Sequence, residues 1–488
     1  MTQVDTANKR GNSLAYLSAT ETLAGFQALE FSPSEVLETQ IQRIEERNGD
    51  RETGINAFTQ TLFESARTQA RLASDQYVQL ARDGRAAPAL LGLTVATKEK
   101  HGIAGLKLEQ GLAAHRGHTA DADHPVVERI NAAGGIIHAR TTSPEFSCAT
   151  TTHSPMWGIT RNPWNTATSP GGSSGGSGAA LAAGFTTLAT ASDIAGSTRI
   201  PAGFTGTVGY KAPYGRIPGL GALAADWYRG DGPMGRTVAD TALLAAVMSG
   251  HHAADHRSWG QNGLNPLLDG DISGLRIGLS LTLGDYLVSN EIIDNTLQVA
   301  KALEAAGAII VPVELPWSTA RITETTFAHF GHILGPAMQK ETEGSESELA
   351  SYTAQFIKDA AAAASRHTLI DSLEMDRVLQ AELASAMEGL DALLCPTSAV
   401  ASLDAGGDYL DGLAVGERHL GHYWEGHMTS PFNVANRCPV VAVPSGLSSV
   451  GVPTGVQIVG HPFDETMAFR VAAAVEKHSP GPSFNIFE

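Results

Sequence analysis

The chain has 488 residues, with 33 lysines and arginines against 51 aspartates and glutamates, which gives a net charge of −18. This charge argues against a nucleic-acid-binding protein, because affinity for phosphate groups comes largely from Lys and Arg. Apolar residues make up 42% and charged residues 17% of the chain, so a large core is expected and disorder is not. The 52 glycines exceed the usual share of ~7%.

Neither the N-terminus nor the cysteines indicate an exported protein. Met1–Ala15 mixes charged and polar residues and lacks the apolar segment of a signal peptide. No window approaches the ~18 consecutive apolar residues that a membrane-spanning helix needs. Cys148, Cys395 and Cys438 are odd in number and far apart, so they predict no disulfide framework. We therefore expect a cytoplasmic protein that binds neither nucleic acid nor a membrane.

The first clear element in chain order is a helix that begins near residue 33. Ser32, Pro33 and Glu35 have the pattern of an N-cap, a proline at the first helical position and a capping-box glutamate. An alanine-rich helical pattern follows over Ser65–Ala81. From residue 90 the pattern changes to short apolar runs typical of strands: Leu91–Ala96, Gly135–Ala139, Leu275–Leu279, Ile309–Val313 and, late in the chain, Gly455–Val459.

Helical stretches alternate with these runs. Asp240–Met248 and Thr296–Ala306 are two of them, Trp317–Ala386 is largely helical in pattern, and Ala401–Glu417 is a polar loop rich in Gly and Asp. Alternation of this kind predicts an α/β fold in which helices cover both faces of a sheet.

Glycine and serine are most concentrated at Gly171–Gly178, where eight positions hold five glycines and three serines. Glycine permits close backbone approach, and serine hydroxyls can relay protons. Taken alone, the stretch is about as typical of a flexible linker. The helical run Ala179–Ala183 that follows it, and a second glycine–serine turn at Asp193–Ser197, favour a functional site instead.

The chain resembles the amidase signature family in a long, ordered set of segments. They are Gly92–Gly105 around Lys98 and Glu99, Arg140–Phe146, Arg161–Asn165, Gly171–Gly178, Ser192–Pro201, Gly209–Lys211, Gly232–Asp240, Leu394–Thr397 and Cys438–Gly460. The resemblance implies an α/β fold with one large domain over residues 1–488 and a mixed, mostly parallel twisted sheet. The signature segment is then about 90–240, and a substrate region of helices and loops is about 317–430.

By this resemblance, the family's Ser–cis-Ser–Lys triad corresponds to Ser197, Ser173 and Lys98. Hydrolysis of an amide needs an activated nucleophile, an oxyanion site and an acid for the departing amine. Ser197 is then the nucleophile, Ser173 the proton relay and Lys98 the general base. Lys98 can act as a base only if burial lowers its pKa from ~10.4, and the apolar run before it fits the end of a buried strand.

The turn that ends at Ser197 is expected to bind the oxyanion. The donors would be four consecutive backbone N–H groups, those of Ile194, Ala195, Gly196 and Ser197. Four further residues are expected to support the site. Gly172 precedes the cis peptide bond, Ser174 hydrogen-bonds Lys98, and Asp193 and Arg199 brace the turn as an ion pair.

Two other functions stay open on the sequence. Gly171-x-Ser173-x-Gly175 and Gly172-x-Ser174-x-Gly176 both match the nucleophile elbow of esterases, which would make Ser174 the nucleophile. An amidotransferase subunit that works with a partner protein is the second alternative, although such subunits usually carry Gln at the position of Ile200. The histidine spacings match no zinc motif, so we expect neither a metal nor a cofactor.

The substrate pocket is predicted from aromatic and apolar residues that cluster outside the glycine-rich segments. They are Phe146, Met156, Trp157, Trp227, Tyr228, Tyr423 and Trp424. Although buried aromatics more often belong to a core, these predict a hydrophobic pocket for an aromatic acyl or amine group. Aryl or alkyl amides, anilides and the C–N bond of carbamates, as in the urethanase-like branch of the family, would fit. A monomer and a homodimer are both compatible with the sequence.

Overall fold

The structure, a computed structural model, describes residues 14–260, 264, 266, 268, 271–484 and 486–487. The prediction that the N-terminus has no signal-peptide segment falls mainly on residues 1–13, which lie outside the described residues. Among the helices that the structure describes, none is long and apolar enough to cross a membrane.

The N-terminal helix predicted from its capping box is confirmed over Pro33–Arg47. The Ser32 hydroxyl accepts the N–H of Glu35, and the Glu35 carboxylate accepts the N–H of Ser32. These reciprocal bonds satisfy two donors that have no partner within the helix, which is why it begins there. The main α-helices are Ala19–Gln27 (α1), Pro33–Arg47 (α2), Phe63–Asp83 (α3), Pro125–Ala132 (α4), Gly175–Ala182 (α5), Arg199–Thr205 (α6), Val238–Met248 (α7), Asn290–Ala305 (α8), Thr319–His332 (α9), Leu334–Glu341 (α10), Ser351–Arg366 (α11), Leu369–Ala386 (α12), Pro431–Val434 (α13) and Glu465–His478 (α14).

The described strands form one large sheet and two short hairpins. Their bounds are Phe58–Thr61 (β1), Thr94–Lys98 (β2), Ile136–Thr141 (β3), His153–Ser154 (β4), Gly158–Ile159 (β5), Leu188–Asp193 (β6), Val208–Lys211 (β7), Gly230–Gly235 (β8), Arg276–Leu279 (β9), Ile309–Pro312 (β10), Ala392–Pro396 (β11), Leu413–Val415 (β12), Arg418–Leu420 (β13), Val440–Leu447 (β14) and Pro453–Gly460 (β15). Within the described residues, eleven strands make up the large sheet, in the order β1-β3-β2-β6-β8-β7-β14-β15-β11-β9-β10.

The α/β class with one large mixed sheet is confirmed. Parallel pairing is found in two flanking units, β3-β2-β6 and β11-β9-β10. The pairs from β6 through β8, β7, β14 and β15 to β11 are all antiparallel, as is the edge pair β1-β3. The expected parallel pairing therefore describes the two flanks, whereas the centre of the sheet is antiparallel. In the centre, β14 and β15 are joined by a short turn, which only antiparallel strands allow.

The strand predicted at Leu91–Ala96 begins and ends later, at Thr94–Lys98. The cause is a turn in which the N–H of Leu93 donates to the carbonyl of Leu90 at 3.0 Å. Lys98 is therefore the last residue of a strand that is buried along its whole length.

Alternating side chains of the strands pack against different helices. Val95 and Leu188 belong to an apolar cluster with α7, α8 and α14. Their neighbours Ala96 and Ala189 face the other way and pack with α5 and α6. The small alanines on that face let the glycine-rich helix α5 approach the sheet closely, and this brings its N-terminus to the end of β2.

The helical pattern predicted for Trp317–Ala386 is confirmed by helices α9 to α12. Phe330 of α9 and Phe356 of α11 form a common core with Trp424, which lies in the short 3₁₀ helix Tyr423–Gly426. This core supplies one wall of the cavity described next.

Candidate active site

Lys98 is completely buried at the carboxyl end of β2. Its Nζ lies 2.7 Å from the hydroxyl oxygen of Ser173 and 3.0 Å from those of Ser174 and Ser192. Its backbone N–H donates to the hydroxyl of Thr190 on the neighbouring strand β6, at 2.9 Å. Among the described residues the hydrogen-bond partners of the amine are all hydroxyl groups, so it is arranged to exchange protons with them.

The electrostatic surroundings keep Lys98 from holding its proton tightly. Burial lowers the pKa of Lys98 well below its ordinary value, and the positive charges of Lys100 and Arg229 lower it further. The carboxylates of Asp231 and Asp193 act in the opposite direction but do not outweigh the burial. The amine is thus available as a base at a lower pH than a free lysine would be.

The glycine–serine stretch at Gly171–Gly178 is tightly packed and is not a linker. The peptide bond between Gly172 and Ser173 is cis, as the resemblance implied, and Ser173 is fully buried. A Cβ at Gly172 would lie 2.5 Å from the carbonyl oxygen of Ala149, so no larger residue fits there. Ser174 hydrogen-bonds Lys98, as expected.

The turn after β6 is held by the carboxylate of Asp193. Asp193 accepts two hydrogen bonds from the Arg199 guanidinium, each at 2.9 Å, and one from the N–H of Gly196 at 2.7 Å. Burial raises the pKa of the Asp193 carboxyl, but Arg199 and the hydrogen bonds outweigh it and bring the pKa to about 2. The predicted ion pair between Asp193 and Arg199 is therefore present, and it fixes the turn.

One of the four expected oxyanion donors is already engaged. Because the N–H of Gly196 donates to Asp193, it serves the turn and is not free for a substrate. Among the described residues, no acceptor occurs for the N–H groups of Ile194, Ala195 and Ser197. These three are the candidate donors. The carbonyl of Ser197 in turn accepts the N–H of Ser174 at 3.2 Å, which joins the turn to the glycine–serine stretch.

Several residues of this framework are ones that sequence reasoning missed. Arg199 also donates to the side-chain oxygens of Asn433 and Gln457, each at 2.6 Å, although these residues lie far along the chain. Ser192 touches Lys98, and only its position just before Asp193, at the end of a strand beside β2, could have indicated it. No local motif signals Asn433 or Gln457.

A cleft of ≈ 550 Å³, partly open to solvent, brings the triad candidates Ser173 and Ser197 to one surface. Its polar end also includes Gly172, Ser192, Asp193, Ile194, Ala195 and Arg229, and its remaining walls are Phe146, Ser147, Cys148, Ala149, Ile200, Phe330, Leu334, Phe356, Trp424 and His427. Burial lowers the pKa of His427 to about 3, so the ring is neutral and adds no charge. The cleft is thus apolar except at the serine end and at Arg229.

Of the seven predicted pocket residues, Phe146 and Trp424 line the cleft. The other five pack elsewhere. The side chains of Trp227 and Tyr228 both hydrogen-bond Asp376 and stack around His329, which makes them part of the helical core. The remaining three, also absent from the lining, are Met156, Trp157 and Tyr423. Sequence clustering of aromatics does not distinguish a wall from a core, because both are built from apolar side chains.

Within the described residues, one group of three side chains has the spacing of metal ligands: His101, His124 and Asp231. The ammonium of Lys100 and the ring of His101 already contact the same oxygen of Asp231, at 3.0 and 2.9 Å. A cation as a fourth neighbour disfavours a second positive ion, so the group does not fit a metal and acts as a charge network behind Lys98.

The comparisons with known proteins agree with this site. The sequence profile of the Amidase family matches residues 35–469. An acylamidase from Rhodococcus erythropolis is 31% identical over 484 residues, which cover 96% of each chain. A subunit of the glutamyl-tRNA(Gln) amidotransferase of Chromohalobacter salexigens is 29% identical over 498 residues, which cover 95% of this chain and 98% of that one.

A crystal structure of a bacterial aryl acylamidase, described as an amidase signature enzyme, superposes with a TM-score of 0.85 at 25% identity. The match covers 95% of this chain and 96% of that one. Fold and site together define an amidohydrolase. The chain belongs to the Amidase family.

Proposed function

We propose that this enzyme hydrolyses C–N bonds of amides through an acyl-enzyme on Ser197, with Ser173 as proton relay and Lys98 as general base. The observation that carries the proposal is the environment of Lys98. Its amine is completely buried, has a lowered pKa and lies 2.7 Å from Ser173, which faces the same cleft as Ser197.

In the proposed first half-reaction, neutral Lys98 takes the proton of Ser173 while Ser173 takes that of Ser197. The Ser197 oxygen then attacks the amide carbon, and the negative charge moves to the carbonyl oxygen. The N–H groups of Ile194, Ala195 and Ser197 would stabilise this oxyanion, and one such donor is typically worth ~10²–10³ in rate. When the C–N bond breaks, Ser173 returns a proton to the leaving nitrogen.

In the second half-reaction, water attacks the ester carbon of the acyl-enzyme. Its proton passes through Ser173 to Lys98, and the oxygen of Ser197 leaves with a proton from the same relay. The products are a carboxylic acid and free Ser197, so the atoms of one water molecule are added across the C–N bond. The steps use no external oxidant, reductant or activated cosubstrate.

For the substrate we propose aryl or alkyl amides, anilides or carbamates. The aromatic and aliphatic walls of the cleft, among them Phe146, Phe330, Phe356 and Trp424, favour an apolar body beside the scissile bond. The acylamidase and aryl acylamidase among the similar proteins are consistent with such substrates.

A role within an amidotransferase is the alternative that the relatives raise, since some of them are subunits of that enzyme. Ile200 is buried and lines the cleft where transamidating subunits usually carry Gln, which favours a hydrolase that acts without a partner protein. Hydrolysis by the purified chain of a panel of primary amides, anilides, ureas and carbamates would support this choice. Activity that appears only with a partner protein would contradict it.

An esterase that uses Ser174 is less well supported. Ser174 is fully buried, its hydroxyl oxygen is 3.0 Å from Lys98 Nζ and accepts the N–H of Ser192, and it is absent from the cleft lining. A nucleophile has to reach the substrate carbon, so this serine is better suited to positioning Lys98.

Labelling with a fluorophosphonate, followed by peptide mapping, tests the assignment. We expect the adduct on Ser197, loss of labelling in Ser197→Ala, and labelling retained in Ser174→Ala. In Lys98→Ala the rate of labelling and of amide hydrolysis should fall by ~10²–10⁴, the usual contribution of a general base, with the circular dichroism spectrum unchanged. The exposed Lys358→Ala is the matched control. An adduct on Ser174, or near-normal turnover of Lys98→Ala, would refute the assignment.

We also propose that residues 1–488 act as a single amidase domain, with the signature segment at about 90–240 and the substrate region at about 317–430. The lining of the cleft supports this division, because Phe330, Leu334, Phe356 and Trp424 come from the second range. The cytoplasmic location and the monomer or homodimer state stay predictions from the sequence.

A further inference from the structure

Arg229 is the residue just before β8, and its side chain lines the cleft together with Ser173 and Ser197. Gly230, the next residue, pairs with Asp193 across the antiparallel strands β8 and β6. Continuing that register sets Arg229 opposite Ile194, the first residue of the turn that carries the candidate oxyanion donors. A cationic side chain thus stands at the edge of the reaction site.

The Arg229 side chain has no protein partner among the described residues, since no hydrogen bond or ion pair of its guanidinium occurs there. The other cations close to the cleft are paired differently. Arg199 is bound by Asp193, and Lys100 by Asp231. A half-buried guanidinium in a mostly apolar wall loses hydration, so a partner that enters with the substrate would compensate for that loss.

The charges around Arg229 leave the neighbourhood positive. Arg229 is near enough to Lys98 and Lys100 to lower the pKa of both, after burial, the main cause. The carboxylate of Asp231 is occupied by Lys100 and His101. Glu341 at the end of α10 is the acidic side chain that senses Arg229, although its pKa is raised by burial, and within the part of the chain that the structure describes the two form no ion pair.

We propose that Arg229 is a subsite for a carboxylate of the substrate, so that the enzyme prefers amides with an apolar body and one anionic end. A guanidinium can bind a carboxylate through two parallel hydrogen bonds, which gives both affinity and orientation. This inference rests on the proposed function, because it names the substrate class of the same cleft. Monoanilides of dicarboxylic acids and N-acyl aminobenzoates have this chemistry.

Equilibrium binding tests the subsite without relying on turnover. The probes are 5-phenylpentanoate and its neutral analogue 5-phenylpentan-1-ol, measured by calorimetry with the full chain. A charge-assisted contact predicts that the carboxylate binds ~10- to 100-fold more tightly than the alcohol. In Arg229→Ala the ratio should fall to about one, and Arg229→Lys should keep part of it. Added salt should reduce the preference of the wild type.

Two further variants sharpen this test. Glu341→Gln removes the competing carboxylate and should tighten carboxylate binding, whereas Arg377→Ala removes an exposed guanidinium paired with Glu374 and should change nothing. Equal affinities for the two probes in the wild type, or no detectable binding of either, would overturn the proposal. So would a preference that survives in Arg229→Ala.

Kinetics then separate this inference from the proposed function. Glutaric acid monoanilide is compared with pentanoic acid anilide, and N-acetyl-4-aminobenzoate with N-acetyl-4-toluidine, so that both ends of the substrate are probed. We expect at least one anionic member to have the higher kcat/KM, and its advantage to vanish in Arg229→Ala. If neutral anilides are hydrolysed but the ratio does not respond to Arg229, only the subsite is refuted. If no amide is hydrolysed, the proposed function fails.

Discussion

Lys98 illustrates how a single residue acquires a reactive state from its surroundings. Its amine contacts three serine hydroxyls within 3.0 Å, and burial lowers its pKa well below the ordinary value. The sequence identified Lys98, Ser173 and Ser197 by resemblance to a family. It also anticipated that burial has to neutralise the lysine. Ser192 was missed, because a serine at the end of a strand carries no local signal of what lies beside that strand.

The lowered pKa of Lys98 predicts the pH dependence of the enzyme. The base works when it is neutral, so kcat/KM should rise as the pH passes the pKa of Lys98 and level off well below pH 10.5. His427 titrates near pH 3 and does not account for such a rise. The measurement is kcat/KM for one neutral anilide between about pH 5 and pH 10. Lys358→Ala should give the same curve, and a rise centred near the ordinary lysine value would contradict the role of Lys98.

At the scale of elements, helix α5 decides how the glycine–serine stretch is used. Three of its glycines have no room for a side chain: a Cβ would lie 2.4 Å from a neighbouring atom at Gly175 and Gly176, and 2.8 Å at Gly178. The glycines therefore allow close contact between the helix and the sheet, and so bring Ser173 and Ser174 to Lys98. Composition alone could not separate this role from that of a flexible linker, since both require small residues.

Gly176→Ala tests the packing of α5. The added Cβ would lie 2.4 to 2.7 Å from the side-chain oxygen and backbone atoms of Thr142, so the helix has to shift. Overpacking of this kind typically costs ~1–3 kcal/mol. We expect a lower midpoint of urea unfolding and a fall in kcat larger than tenfold. Gly421→Ala is the control, because a Cβ there meets nothing within 4 Å. Wild-type activity in Gly176→Ala would contradict the proposed close packing.

The walls of the cleft depend on which elements meet, and this is where the sequence was least informative. Trp424 lines the cleft, so Trp424→Ala should enlarge it, raise KM for anilides and improve the relative kcat/KM for bulkier acyl groups. Trp157, predicted as a pocket residue but located outside the lining, supplies the comparison. Competition assays with a series of acyl lengths measure the preference. An altered preference in Trp157→Ala but not in Trp424→Ala would show that the cleft is assigned wrongly.

On the scale of the whole molecule, the catalytic turn depends on residues at the far end of the chain. Gln457 on β15 accepts a hydrogen bond from Arg199 at 2.6 Å and donates to the carbonyls of Pro396 and Met428. Its position near the centre of the sheet places this C-terminal strand directly under α6. The turn, the sheet and the C-terminal part of the chain are therefore expected to unfold together.

Gln457→Leu tests this dependence. Replacing the amide leaves the buried Arg199 guanidinium one acceptor short, which costs ~1–3 kcal/mol. We expect Tm to fall by a few degrees, and activity and near-ultraviolet circular dichroism to be lost in the same transition. The exposed Gln339→Leu should leave Tm unchanged. Loss of activity in a separate, earlier transition would indicate that the turn is stabilised locally.

By itself, the sequence determined the α/β class, the helix starts with capping boxes, the family and the segments that carry Lys98, Ser173 and Ser197. These follow from local periodicity, local hydrogen bonding and ordered motifs, all of which can be read along the chain. Only the tertiary structure decided the antiparallel centre of the sheet, the loss of the Gly196 donor to Asp193, the true walls of the cleft and the place of Arg229 within it. Each of these depends on contacts between residues far apart in sequence or on the exact path of the backbone, and the pattern along one chain does not specify which side chains meet.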